Sequence, residues 1–133
     1  MNCQTEKGSK KIKIVDKVPA NFQMYKTSEM AGLMRLMYAG NTKIREQIIA
    51  GNEIEDFNET YLKIHTSKLT DVSDLDENFS TFANFFIENQ KELFEVDKDD
   101  RKNQFNKTIQ ACIACHKDRC AGPIPRIKKL IIL

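Results

Sequence analysis

The residues with the clearest chemical capacity stand together in Ala111-Cys112-Ile113-Ala114-Cys115-His116. On a helix, positions i, i+3 and i+4 share one face, so Cys112, Cys115 and His116 present two thiols and an imidazole side by side. Thiols so spaced can add to the two vinyl groups along one edge of a porphyrin, while the adjacent imidazole is carried over the iron. The Cys-x-x-Cys-His spacing reads as covalent attachment of one haem c per chain, with His116 as an iron ligand. An iron-bound imidazole needs its other ring nitrogen oriented, by a backbone carbonyl or a water.

Other chemistries use the same residue types. Cys112, Cys115, His116 and Cys120 form a Cys₃His set with zinc-binding donors, but four ligands crowded along one helix surround a metal poorly. A redox-active Cys-x-x-Cys needs a βαβ setting, and no strand pattern is visible here. A chance occurrence of the motif in a helix is the remaining alternative.

The elements that must carry this site read as helices. The apolar positions Met30, Leu33, Met34, Met37, Ile44 and Ile48 recur at steps of three, four and seven. They predict a first helix from Ser28 to about Ala50, with Thr27 or Ser28 as N-cap and Gly51-Asn52 as the stop. A second helix is expected from Asp56 to about Ser67, with Phe57, Tyr61, Ile64 and His65 on one side. After a polar loop from Thr70, a third runs from near Asp74 to about Val96 on Leu75, Phe79, Phe82, Ala83, Phe86, Leu93 and Phe94. A fourth, from about Asp99 to about Arg119, carries the cysteine motif. Gly122-Pro123 ends it, and Pro125 is expected to keep the tail non-helical. Four helical segments with short connections predict an all-α fold, an antiparallel four-helix bundle. Residues 1–21 are polar and basic with no helical stripe and read as a flexible tether, leaving 22–133 as the haem-binding bundle with a short C-terminal tail.

Composition narrows the function classes. With 21 basic and 19 acidic residues the charge is nearly balanced, so nothing suggests a nucleic-acid partner. No apolar run approaches the roughly 18 residues of a membrane span, and Leu130-Ile131-Ile132-Leu133 is the nearest. Polar residues follow Met1 at once, so no signal peptide is written. Covalent haem attachment belongs outside the cytoplasm, and the expectation is a periplasmic protein whose leader has been removed. Cys3, just before the polar stretch Gln4 to Lys11, stands where a lipoprotein's acylated cysteine falls and is a candidate lipid anchor. A random cysteine in a tail is the competing reading.

On these residues the chain resembles the cytochrome c′ family, in which a CxxCH also lies near the C-terminus, on the last helix of an antiparallel four-helix bundle. The resemblance covers roughly residues 25 to 120, through helix pattern and motif position. It implies an exported mono-haem protein with Cys112 and Cys115 as thioether anchors and His116 as the proximal ligand. It also admits a homodimer through the first two helices. Two features depart from the family. A basic residue is usual four positions after the haem His, and here Cys120 occupies that position, with Arg119 one residue early. The segment Cys120 to Ile127 also differs.

In a bundle of this plan the N-terminal half of the first helix covers the other face of the iron. That half holds Met34, Met30 and Met37, candidate sixth ligands in that order, although a methionine stripe is more often core packing. His65 is a weaker candidate, better suited to solvent or to a hydrogen bond. Tyr25, Tyr38 and Tyr61 are candidates for haem-edge contacts. Arg119, Arg126, Lys128 and Lys129 form a basic cluster that suits either haem propionates or solvent. Cys120 is expected to be a buried free thiol or to pair with another cysteine.

Two functions follow. With His/Met ligation the protein is a one-electron carrier between redox partner proteins. With a five-coordinate iron and an apolar distal side it binds a small gas such as NO or CO. No acid, base or nucleophile constellation beyond the haem site suggests an enzyme.

Overall fold

In the computed structural model, residues 28–69 and 76–133 are described. The expected tether 1–21, Cys3, Tyr25, Leu75 and most of the loop after Thr70 lie outside them. The fold is all-α, with no strand among the described residues.

Helix α1 spans Glu29–Ala50. The Ser28 hydroxyl accepts from Ala31 N–H at 3.1 Å, and Glu29 sits in the first turn, where the helix dipole favours a carboxylate. Gly51, at φ 74°, closes the helix by donating to the Gln47 and Ile48 carbonyls. These bounds match the expected ones because both caps are local signals.

The expected second helix exists only as a 3₁₀ segment, Glu59–His65, which buries Tyr61 and Ile64. The buried pair Tyr61 and Ile64 stands at i, i+3, a spacing that suits three residues per turn. Tyr61 stacks near Phe86, with Phe57 edge-on to it at 6.0 Å. A Cβ added at Gly40 would fall on the Tyr61 hydroxyl, so α1 needs glycine there for the ring to dock.

Helix α2 is Glu77–Glu92, capped by the Asp76 carboxylate accepting from Phe79 N–H at 2.8 Å. It stops short of Val96 because Leu93, Phe94, Glu95 and Val96 fold into a turn, burying Leu93. A one-turn 3₁₀ segment, Lys98–Asp100, leads into α3, Arg101–Arg119. The tail corrects a further expectation. Ile124–Lys128 forms a short helix, α4, begun by Pro123 and containing Pro125. Proline is tolerated in a first helical turn, where its missing N–H has no partner to lose.

The most extensive packing is between α2 and α3, with α4 folded back on α3. Two apolar clusters result. One joins Met30, Leu33 and Met37 of α1 to Tyr61, Ile64, Phe79, Phe86 and Ala111. The other joins Leu93, Phe105, Ile109 and Ile113 to Ile127, Leu130 and Ile132. The tail is tied down by polar bonds. Asn106 brackets Ile132, donating to its carbonyl at 2.9 Å and accepting its N–H at 2.8 Å, while Arg45 donates to the Leu130 carbonyl at 3.0 Å. Between α1 and α2, Asn41 and Gln90 exchange two amide hydrogen bonds of 3.0 Å in the buried interior.

Candidate haem site

The cysteine motif lies in the last two turns of α3, at the seam of the two clusters, and Cys112 packs against both. Cys112 is half-buried, while Cys115 and His116 are buried. Two hollows meet at this seam. The larger, about 80 Å³, is bordered by Met34, Met37, Tyr38, Cys112 and His116, with Ile127 and Leu130 of the tail closing one side. The smaller, about 30 Å³, is bordered by Met34, Met37, Cys112, Cys115 and His116 on one side and by Ile64, Phe82, Ala83 and Phe86 on the other. Met34, Met37, Cys112 and His116 border both, so these four side chains form the partition between them.

The His116 ring is oriented. Its Nδ1 donates to the Cys120 carbonyl at 2.9 Å, a bond that only the Nδ1–H tautomer can make. Nε2 is then the nitrogen that keeps its lone pair for a metal. Burial pushes the imidazole pKa down to about 4, and the Cys120 carbonyl opposes that by favouring the protonated ring. His116 is therefore neutral at pH 7, the form in which imidazole binds metals.

Neither Cys112 nor Cys115 is in a disulfide. Burial, and then the neighbouring Cys115, push the Cys112 thiol up to about 12. A dithiol working by redox exchange is activated in the opposite direction. Cys120 is disulfide-bonded, the second of the two fates expected for it. That bond removes the fourth ligand from the Cys₃His zinc set. Among the described residues, no three His, Cys, Asp or Glu side chains gather as a metal cage. A porphyrin brings four nitrogens of its own and asks the protein only for axial donors and anchors. The donor set here, an oriented imidazole with two cysteines outside any disulfide and nearby thioethers, fits that demand.

Compared with known proteins, the chain matches no family model, no curated protein and no solved structure.

The other sequence candidates divide. Met34 and Met37 border both hollows with the motif, whereas Met30 is fully buried one turn earlier and borders neither. Tyr38 borders the larger hollow, while Tyr61 belongs to the aromatic cluster with Phe57 and Phe86. His65 is exposed. Arg119 borders neither hollow. Its guanidinium pairs with Asp76 at 3.0 Å and Asp118 at 2.8 Å and lies over the Phe79 ring. It thus fastens the end of α3 to the start of α2, and the Phe79 N–H and Arg119 together hold the Asp76 carboxyl below its usual range.

Arg35, Pro123, Ile127 and Leu130, which no motif marks as site residues, also border the larger hollow. Asn41 borders it too, and four residues after Met37 it continues the buried stripe of α1. No helix of the described residues is long and apolar enough to cross a membrane.

Proposed function

We propose that this chain is a mono-haem c-type cytochrome of the periplasm that carries single electrons between redox partner proteins. Cys112 and Cys115 hold the porphyrin through thioether bonds, and His116 Nε2 is the proximal ligand. Met34 or Met37 supplies the sixth ligand from α1. In this reading α1, the 3₁₀ segment, α2 and α3 together make the antiparallel bundle, its second member reduced to the 3₁₀ segment.

The observation that carries the reading is the hydrogen bond from His116 Nδ1 to Cys120, together with two cysteines outside any disulfide on the same face of α3. It fixes the tautomer, makes Nε2 the more basic donor and holds the ring's orientation. When bound, the haem supplies an Fe(III)/Fe(II) couple. The chain's part is to set that couple by ligation and burial. Soft thioether donors from α1 favour the reduced state, and Phe82, Phe86 and Ile64 keep the surroundings apolar.

One observation favours a second reading. The smaller hollow is lined apart from His116 by apolar and sulfur-bearing side chains and has about the volume of one small molecule. If neither methionine ligates the iron, that space suits a diatomic gas. Absorbance of the purified protein, oxidised, reduced, and reduced under CO, separates the two. A low-spin reduced spectrum unchanged by CO is expected. A high-spin reduced form that takes up CO would replace Met ligation with gas binding, and a colourless protein from a host that attaches haem to cytochromes would end both readings.

A further inference from the structure

The larger hollow combines an apolar interior with an unusual charge pattern. Two arginines, Arg35 of α1 and Arg126 of α4, border it, and no aspartate or glutamate does. The chain has five arginines. Arg45 donates to the Leu130 carbonyl, Arg101 pairs with Glu53, and Arg119 pairs with Asp76 and Asp118. Arg35 and Arg126 are the two that form no ion pair among the described residues. Both are exposed, and both stand at this one hollow. Arg126 lies over the Tyr38 ring at 5.2 Å, a contact that aims the guanidinium without neutralising it.

We propose that Arg35 and Arg126 form a carboxylate-binding pair at the mouth of the larger hollow and receive the two propionate groups of the porphyrin. The inference rests on the haem reading above and adds the residues that recognise the polar edge of the ligand. In chemical character, though not in its present volume of about 80 Å³, an apolar hollow whose only charged rim groups are two cations is complementary to a flat apolar ring bearing two carboxylates. Guanidinium is the better cation for this task, because its planar fork matches a carboxylate with two parallel hydrogen bonds. The pairing also assigns a role to α4: the helix that closes the hollow brings one of the two cations with it.

The test uses haem-loaded protein and three variants, Arg126→Gln, Arg126→Lys and the double Arg35→Gln/Arg126→Gln. Intact mass first establishes whether each chain carries one haem. Resonance Raman spectroscopy then reads the propionate bending band, which responds to hydrogen bonding at the carboxylates. A shift of that band in Arg126→Gln, with a larger shift in the double variant, is the expected result. Arg126→Lys, which keeps the charge, is expected to load haem and to shift the band less. It serves as the readable variant if the glutamine forms load poorly. Haem-loaded variants whose band stays at the wild-type position overturn the pair while leaving the cytochrome reading intact. A wild-type chain without a haem adduct overturns the reading beneath it.

Discussion

In the haem-free chain, the buried imidazole at the end of α3 makes folding sensitive to pH in a defined window. His116 is 4% exposed, and burial sets its folded pKa at about 4 against an unfolded value of 6.5. The folded pKa is depressed, so between these values the unfolded chain binds a proton that the folded chain refuses. Stability therefore rises with pH through this window and is lost on acidification. The contribution is nil above pH 7.5. It amounts to a loss of about 2 kcal/mol at pH 5 and about 3 kcal/mol at pH 4. Asp76 acts in a different window: its carboxyl is held below 3.8, so its contribution is lost only at more acid pH. The assay is urea denaturation of the unloaded chain at pH 7.5, 6 and 5, followed by circular dichroism, beside His116→Gln. With a urea slope of about 1–3 kcal/mol/M, the parent's midpoint should fall by roughly 1 M between pH 7.5 and 5. The variant's midpoint should fall much less. A variant that weakens as steeply as its parent over that range refutes the reasoning, because the proton would then be binding elsewhere.

Other perturbations test the rest of the arrangement. Met34→Ala or Met37→Ala should turn a low-spin haem high-spin if that residue is the sixth ligand, read by absorbance, while Met30→Ala should leave the spectrum unchanged because Met30 borders neither hollow. Gly40→Ala sets a methyl against the Tyr61 hydroxyl and should cost about 1–3 kcal/mol in thermal or urea unfolding. Adding Tyr61→Phe should recover much of that loss, since the ring carbon behind the hydroxyl lies 3.5 Å from the added carbon. Asn41→Leu strands the Gln90 amide in the interior and should cost about 2–4 kcal/mol, whereas Asn41→Leu/Gln90→Leu should cost less than the sum of its parts, measured as a double-mutant cycle.

The legible parts of the molecule are those written in short stretches of chain. The bounds of α1 follow from Ser28 and Gly51, and the motif of α3 follows from spacing alone. The 3₁₀ segment was not legible as such. Phe57, Tyr61 and Ile64 have helical spacing, and only the fit of Tyr61 against Gly40 and Phe86 shows how little of a helix the site accommodates. The tail departs from the non-helical expectation because Pro125 falls in the first turn of α4, where a proline breaks nothing. At the site, Cys112, Cys115 and His116 are readable from the motif, and Met34 and Met37 from the stripe of α1. Separating these two from Met30 requires the rotation of α1 against α3, which no periodicity states. Arg35 was hidden for the same reason, since a lone arginine beside an apolar stripe looks like a solvated position until a hollow opens next to it.

On the haem reading, the position of the motif bears on how a porphyrin would be admitted. The two hollows hold only a few water volumes, far below the roughly 300–1,000 Å³ of a ligand pocket. The partition between them is made of Met34, Met37, Cys112 and His116, two of which are unbranched thioether side chains with several rotatable bonds. Methionine can vacate the seam by rotamer change where leucine or phenylalanine would have to displace its neighbours. The seam also lies between two separate apolar clusters, so parting them there breaks less packing than entering either one. The wall that α4 and Leu130 supply packs into the second apolar cluster through Ile127, Leu130 and Ile132, and its polar ties, one bond from Arg45 and the Asn106 bracket, are side-chain bonds to backbone. The haem reading therefore requires the space for the porphyrin to come from methionine rotation and outward movement of the tail. The helices α2 and α3, packed most extensively, then keep their relation to each other while His116 holds its bond to Cys120.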